Sequence, residues 1–130
     1  MIKQIIGLSG LPRSGSTLLS AILCQNPKIH SEGLSPVCQL MWDMKKSFEL
    51  ASVKEQIISA NKIHVSTDLI SAIPFIYYND IKESIVFDKS RSWTLSSNVE
   101  MFKRYIDSDA KIVVLERPVI DIVKLSLIHI

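Results

Sequence analysis

The chain has 130 residues and a formal net charge of +2, with 47% apolar residues against 22% charged. That is one domain's worth, able to bury roughly two thirds of the surface it exposes when unfolded, and the balance excludes a disordered chain. Four Gly and five Pro exclude collagen-like and low-complexity classes. No uncharged apolar run reaches the ~18 residues of a membrane span, and the mixed charges make no general case for nucleic acid. The opening MIKQIIGLSG has too short an apolar part for a secretory signal, so the expected compartment is cytoplasmic. Cys24 and Cys38 are expected to be buried, reduced thiols, because two cysteines make no disulfide framework and no CxxC or Cys/His spacing suggests zinc.

In chain order, Ile2 to Leu8 reads as a first strand, a mostly apolar run suited to a parallel strand covered on both faces. Gly10 to Gly15 is a Gly/Pro/Ser loop. Ser16 to Gln25 reads as a helix, with Leu18, Leu19, Ile22 and Leu23 on adjoining rows, stopped by Asn26-Pro27. After a break at Gly33 to Pro36 the pattern is helical from Val37 to Ala60 and again from Ser66 to Tyr78, disturbed by Pro74. Ile85 to Asp88 is a second strand, Thr94 to Ile106 a helix, and Lys111 to Glu116 a third strand. Pro118 then opens a last helix, where its missing N–H costs little. Strands alternating with helices predict a three-layer parallel α/β sheet in a single domain spanning 1–130. Three strands make a small sheet, and the last crossover has no strand to return to, so the expectation is an incomplete domain, truncated at its C-terminus.

The most informative segment is Gly10-Leu11-Pro12-Arg13-Ser14-Gly15-Ser16-Thr17. It follows a strand and opens a helix, with the glycine and hydroxyl spacing of the phosphate-binding loop GxxxxGK[ST]. Glycines let the backbone curl so that successive N–H groups point into one concavity, and the helix end adds unpaired donors and about half a positive charge. Ser16 stands where that loop's lysine should be. A positive charge must then come from elsewhere, and Arg13 can supply it with a planar fork of donors. The exchange disfavours ordinary nucleoside triphosphate hydrolysis and favours an anion held by a guanidinium, hydroxyls and amides.

The string Leu11-Pro12-Arg13-Ser14-Gly15-Ser16-Thr17-Leu18-Leu19 resembles the 5′-phosphosulfate loop of sulfotransferases that use 3′-phosphoadenosine 5′-phosphosulfate (PAPS), above all the bacterial members and the tyrosylprotein sulfotransferases. The resemblance implies a sheet of the P-loop nucleoside triphosphate hydrolase type. It also implies that Arg13, Ser14, Gly15, Ser16 and Thr17 hold the phosphosulfate, with Leu18 continuing into the helix. Lys111 to Asp121 resembles the strand-then-arginine element whose arginine, here Arg117, binds the 3′-phosphate. The family's serine eight positions later is here Leu125, with Ser126 one residue on. Phe87-Asp88-Lys89-Ser90-Arg91-Ser92-Trp93 resembles the element that puts a lysine, Lys89, on the bridging oxygen or the substrate. In the tyrosylprotein enzymes a base glutamate occupies the neighbourhood of Glu32, which is read here as a loop residue, although counting from the loop arginine the matching position is Leu34.

Arg13 and Lys89 are therefore the expected cationic groups near the leaving oxygen and Glu32 the candidate general base, with no metal needed. The implied partners are a sulfonucleotide donor and a hydroxyl-bearing acceptor. One rival is a Mg-dependent P-loop phosphotransferase, nucleotidase or nucleotide kinase-like protein, with Asp88 as its metal aspartate. Another is a non-catalytic anion-binding fragment. Asp88 otherwise reads as a capping or ion-pair residue, Asp121 as a helix-start acid, and Lys103 and Arg104 as a solvated face. Arg91 reads as an anion contact or a surface charge. Met41, Trp42 and Met44 read as core or as an apolar wall for an acceptor, and Trp93 as packing at a helix start. The three histidines are assigned no role.

Overall fold

The computed structural model describes residues 1–10 and 15–116. Arg13, Ser14, Arg117 and the helix expected after Pro118 lie outside the described residues. Among the described residues, four strands form one parallel sheet: β1 (Gln4–Gly10), β2 (Ile29–Leu34), β3 (Ile85–Lys89) and β4 (Ile112–Leu115). Their spatial order is β2-β3-β1-β4. Gln4 of β1 lies opposite Ile85 and Leu8 opposite Lys89, while Gly7 lies opposite Ile112 of β4. The helices are α1 (Ser16–Leu23), α2 (Val37–Glu49), α3 (Ala51–Ser59), α4 (Ile63–Tyr77) and α5 (Ser96–Tyr105), and a 3₁₀ turn, Arg91–Thr94, leads into α5.

Strand alternation divides these helices between two faces. Ile5 and Val86 point to one face, into a core with Val37, Cys38 and Met41 of α2, Ile70 and Tyr78 around α4, and Met101, Phe102 and Tyr105 of α5. Trp93 closes this core, its ring edge-on to Phe102 at 5.1 Å. Leu8 and Ser31 point to the other face, where α1 lies; Leu8 is fully buried, and the Ser31 hydroxyl donates to that of Ser20 at 2.9 Å. Helices on both faces of a parallel sheet are the expected three-layer α/β class.

Gly7 sits at a close approach. A Cβ there would come within 3.1 Å of Ile112 and 3.4 Å of the Trp93 ring. β1 therefore passes in close contact with Ile112 and the indole, and an added side chain would need Ile112 to shift by a few tenths of an ångström.

The structure corrects the expected elements in several places. The sheet has four described strands rather than three, because Ile29–Leu34 is a strand and not a loop. Among the described residues it pairs only with β3, and Glu32, Gly33 and Leu34, along its irregular register between Ser31 and Leu34, are exposed, so it needs no apolar run. The single helix expected over 37–60 breaks at Leu50, whose extended backbone (φ −64°, ψ 133°) ends α2 and starts α3. No Gly or Pro marks that break, and α3 contributes no buried residue. Helix α4 begins at Ile63 and carries Pro74 inside it, buried. Cys38 is buried as expected, but Cys24 is exposed at the end of α1, its thiol donating to the Ser31 carbonyl.

Candidate functional site

In a parallel sheet the strands deliver their chain to one shared edge, the carboxyl edge, where crossover connections begin and ligands bind. β1 arrives there at Gly10. The chain is next described at Gly15, in the left-handed region at φ 99°, where it caps α1. A Cβ at Gly15 would meet nothing within 4 Å, so backbone conformation and not crowding calls for glycine. Among the described residues no side chain caps α1, and its first turn holds no acidic residue. Ser16, Thr17 and Leu18 carry the first amides of the helix, the position at which a helix start binds an anion. The Thr17 hydroxyl and the exposed Leu18 belong to this turn.

β3 arrives beside it. Lys89 points to the α1 face and donates from Nζ to Thr17 Oγ1 at 3.3 Å. Burial pushes its ammonium below the usual lysine range, and the nearby Arg91 guanidinium adds to the shift. An ammonium from a neighbouring strand therefore stands at the start of α1, in a loop whose own lysine is replaced by Ser16.

Asp88, one residue earlier, points the opposite way and is fully buried. Its Oδ1 accepts from the hydroxyls of Ser35 and Tyr78, the latter at 2.5 Å, and its Oδ2 accepts from Trp93 Nε1 at 2.8 Å. A carboxylate taken out of water costs several kcal/mol, which three hydrogen bonds to a charged group, about 1.5–3 kcal/mol each, can offset. Burial and the Asp88 charge together drive the Tyr78 hydroxyl well above the usual phenol range, so it remains a donor. The same two causes push the Cys38 thiol up to about 11. With three donors already on its two oxygens, Asp88 is an internal acceptor and not the metal aspartate of the phosphotransferase alternative.

Glu32 lies on β2 and its side chain is 66% exposed. Its Oε1 is 3.1 Å from His30 Nε2 without hydrogen-bond alignment, and His30 Nδ1 is 3.8 Å from Glu83. The His30 ring packs edge-on to Tyr78 at 5.7 Å. The structure thus brings Gly15, Thr17, Leu18 and Lys89 together, and associates Glu32 with His30 on the α4 face. Between the starts of α2 and α5 opens a cleft of about 270 Å³, lined by Cys38, Gln39, Trp42, Ser92, Leu95, Ser97 and Asn98. Met41 is core, whereas Trp42 is half-buried at that cleft beneath the Lys46 ammonium. Lys103 and Arg104 are exposed, as expected of a solvated face.

A sequence model of the sulfotransferase family matches residues 6–127 of the 130. The chain belongs to the sulfotransferase family. A search of curated proteins found no match. As a member of the family, the chain has the parallel α/β sheet that alternating strands and helices predicted, of the P-loop-like type that the resemblance implied, and the family's reaction is transfer of a sulfuryl group. Sequence reasoning missed Ser35, Tyr78 and the indole N–H of Trp93 as partners of Asp88. Ser35 carried a signal, since a serine two residues before a helical run is a capping pattern, and Val37 N does donate to its hydroxyl at 3.2 Å. Tyr78 carried none, because only the fold brings the end of α4 under β3.

Proposed function

We propose that this sulfotransferase takes PAPS as donor and passes its sulfuryl group to an acceptor hydroxyl at the carboxyl edge of the sheet. The observation that carries the reading is the Lys89 ammonium bonded to Thr17 at the mouth of the β1–α1 loop. There it supplies the positive charge that the loop lysine supplies in nucleotide-cleaving proteins. The amides of Gly15, Ser16, Thr17 and Leu18, the hydroxyls of Ser14, Ser16 and Thr17, and the Arg13 guanidinium hold the phosphosulfate. Arg117 binds the 3′-phosphate.

Sulfuryl transfer is dominated by positioning and charge, as phosphoryl transfer is. A bond forms between sulfur and the acceptor oxygen as the bond from sulfur to the phosphate oxygen breaks. Negative charge grows on that leaving oxygen, and Lys89 and Arg13 stabilise it. The acceptor proton goes to Glu32. Of the acids on β2 and β3, Asp88 already accepts three hydrogen bonds, whereas the Glu32 side chain is largely exposed. The products are a sulfate ester and adenosine 3′,5′-bisphosphate.

Calorimetry of adenosine 3′,5′-bisphosphate and of ATP in EDTA tests the donor assignment. The bisphosphate is expected to bind without metal and ATP to compete poorly. Metal-dependent ATP binding in preference to the bisphosphate overturns the assignment in favour of a phosphotransferase. Arg13→Ala is expected to abolish phosphosulfate binding. Arg117→Ala is expected to weaken adenosine 3′,5′-bisphosphate far more than adenosine 5′-phosphosulfate, which lacks the 3′-phosphate; equal losses refute the 3′ assignment. Transfer of radiolabelled sulfate separates an enzyme from a binding fragment.

A further inference from the structure

The buried carboxylate beside Lys89 has no part in the chemistry above, yet the exit of β3 is organised around it. Asp88 draws together three elements: Ser35 ahead of α2, Tyr78 at the end of α4 and Trp93 in the 3₁₀ turn. The backbone on either side is tied as well. Ser35 N donates to the Lys89 carbonyl at 2.9 Å, and Ser90 N donates to the Leu8 carbonyl of β1 at 2.9 Å. The Ser9 hydroxyl donates to the Arg91 carbonyl at 3.2 Å, and the Ser90 hydroxyl accepts from Ser92 N. Every residue from 88 to 91 is therefore bonded to a neighbouring element or within the turn that follows.

A core does not need this carboxylate, since apolar side chains of equal volume hold such a junction at least as firmly. What three converging donors add is direction. Consecutive strand residues point to opposite faces, so fixing the Asp88 side chain on one face fixes where Lys89 leaves on the other. Resting on the donor site proposed above, we propose that Asp88 is the positioning residue of Lys89, the anchor that aims its ammonium at Thr17 and the transferring group. It touches neither donor nor acceptor and acts only through its neighbour.

The test is a pair of double-variant kinetics and a spectroscopic signature. Asp88→Asn keeps the volume but replaces one accepting oxygen with an amide that cannot accept from Ser35 or Tyr78. Its kcat for sulfate transfer is expected to fall by up to about 10², the cost of a misplaced group, with KM for PAPS little changed. In a Lys89→Ala background the same substitution is expected to lower kcat no further. Equal losses in both backgrounds overturn the proposal, because a merely structural acid weakens the enzyme whether or not the ammonium is present. Should Asp88→Asn not fold, Tyr78→Phe removes one donor and is expected to give a smaller loss with the same dependence on Lys89.

The signature needs no turnover. In protein labelled with ¹³Cε-lysine, the signal missing from Lys89→Ala identifies Lys89. It is expected to stand apart from the exposed lysines in the parent chain and to move toward them in Asp88→Asn or Tyr78→Phe. A signal unmoved by either substitution overturns the positioning role. If the parent chain transfers no sulfate at all, the donor reading fails and this measurement still decides the role of Asp88.

Discussion

The exits of β1 and β3 lie side by side on the same edge of the sheet and are built on opposite plans. After β1 the chain is next described at a left-handed glycine, which starts a helix with no side-chain cap among the described residues. After β3 the donors and acceptors are consumed at once, by Ser35, Tyr78, Trp93, Leu8 and Ser9. One exit presents a helix start and the other spends its hydrogen bonds on rigidity. A site for a highly charged group needs both, because free donors recognise the anion and a pre-positioned cation spares the reorganisation that water would otherwise demand. Lys89 is where the two plans meet, its backbone in the spent exit and its ammonium in the open one.

Four substitutions sharpen or break that contrast. Lys89→Ala removes the meeting point and is expected to lower kcat for sulfate transfer by about 10²–10³ while far-ultraviolet circular dichroism stays unchanged; an unaltered rate breaks the contrast outright. Trp93→Phe keeps the ring against Phe102 but leaves Asp88 Oδ2 with no donor, and is expected to cost about 1–3 kcal/mol in urea unfolding. Thr17→Val removes a hydroxyl from the open exit and is expected to weaken adenosine 3′,5′-bisphosphate about tenfold with unfolding unaffected, whereas Thr17→Ser leaves binding near that of the parent.

The smallest effect concerns pH. Lys89 loses its proton at lower pH than an exposed lysine, so anion binding that depends on its charge is present below that point and falls as pH rises through it. Arg91→Ala removes the lesser cause of the shift. The alkaline limb of bisphosphate binding is expected to move to higher pH while staying below that of an exposed lysine, because burial, the larger cause, remains.

Much of this was legible in the residues themselves. Runs such as Ile112 to Leu115 announce parallel strands, and the Gly10 to Thr17 spacing announces a loop between strand and helix before any fold is known. What escaped did so for physical reasons. β2 is polar and pairs, among the described residues, only with β3, so hydrophobic periodicity had nothing to register. The break at Leu50 lies in two backbone angles and in no residue type. The Asp88 cluster joins positions 35, 78, 88 and 93, and no local pattern relates a tyrosine at a helix end to a strand residue ten positions on. Lys89 entered as a cation by resemblance and Glu32 as a candidate base two residues from the matching position, and local pattern gave neither a partner. Lys89 reaches Thr17, and Glu32 faces His30 across an irregular strand.

The missing side chain at Gly7 ties these parts into one mechanical train. A single methyl group there would press on Ile112 and on the indole of Trp93. That indole holds Asp88, and Asp88 is covalently next to Lys89. One carbon added in the middle of β1 would thus bear first on Ile112 and only then on the ring that holds Asp88, a route to Lys89 that touches nothing the ligand touches.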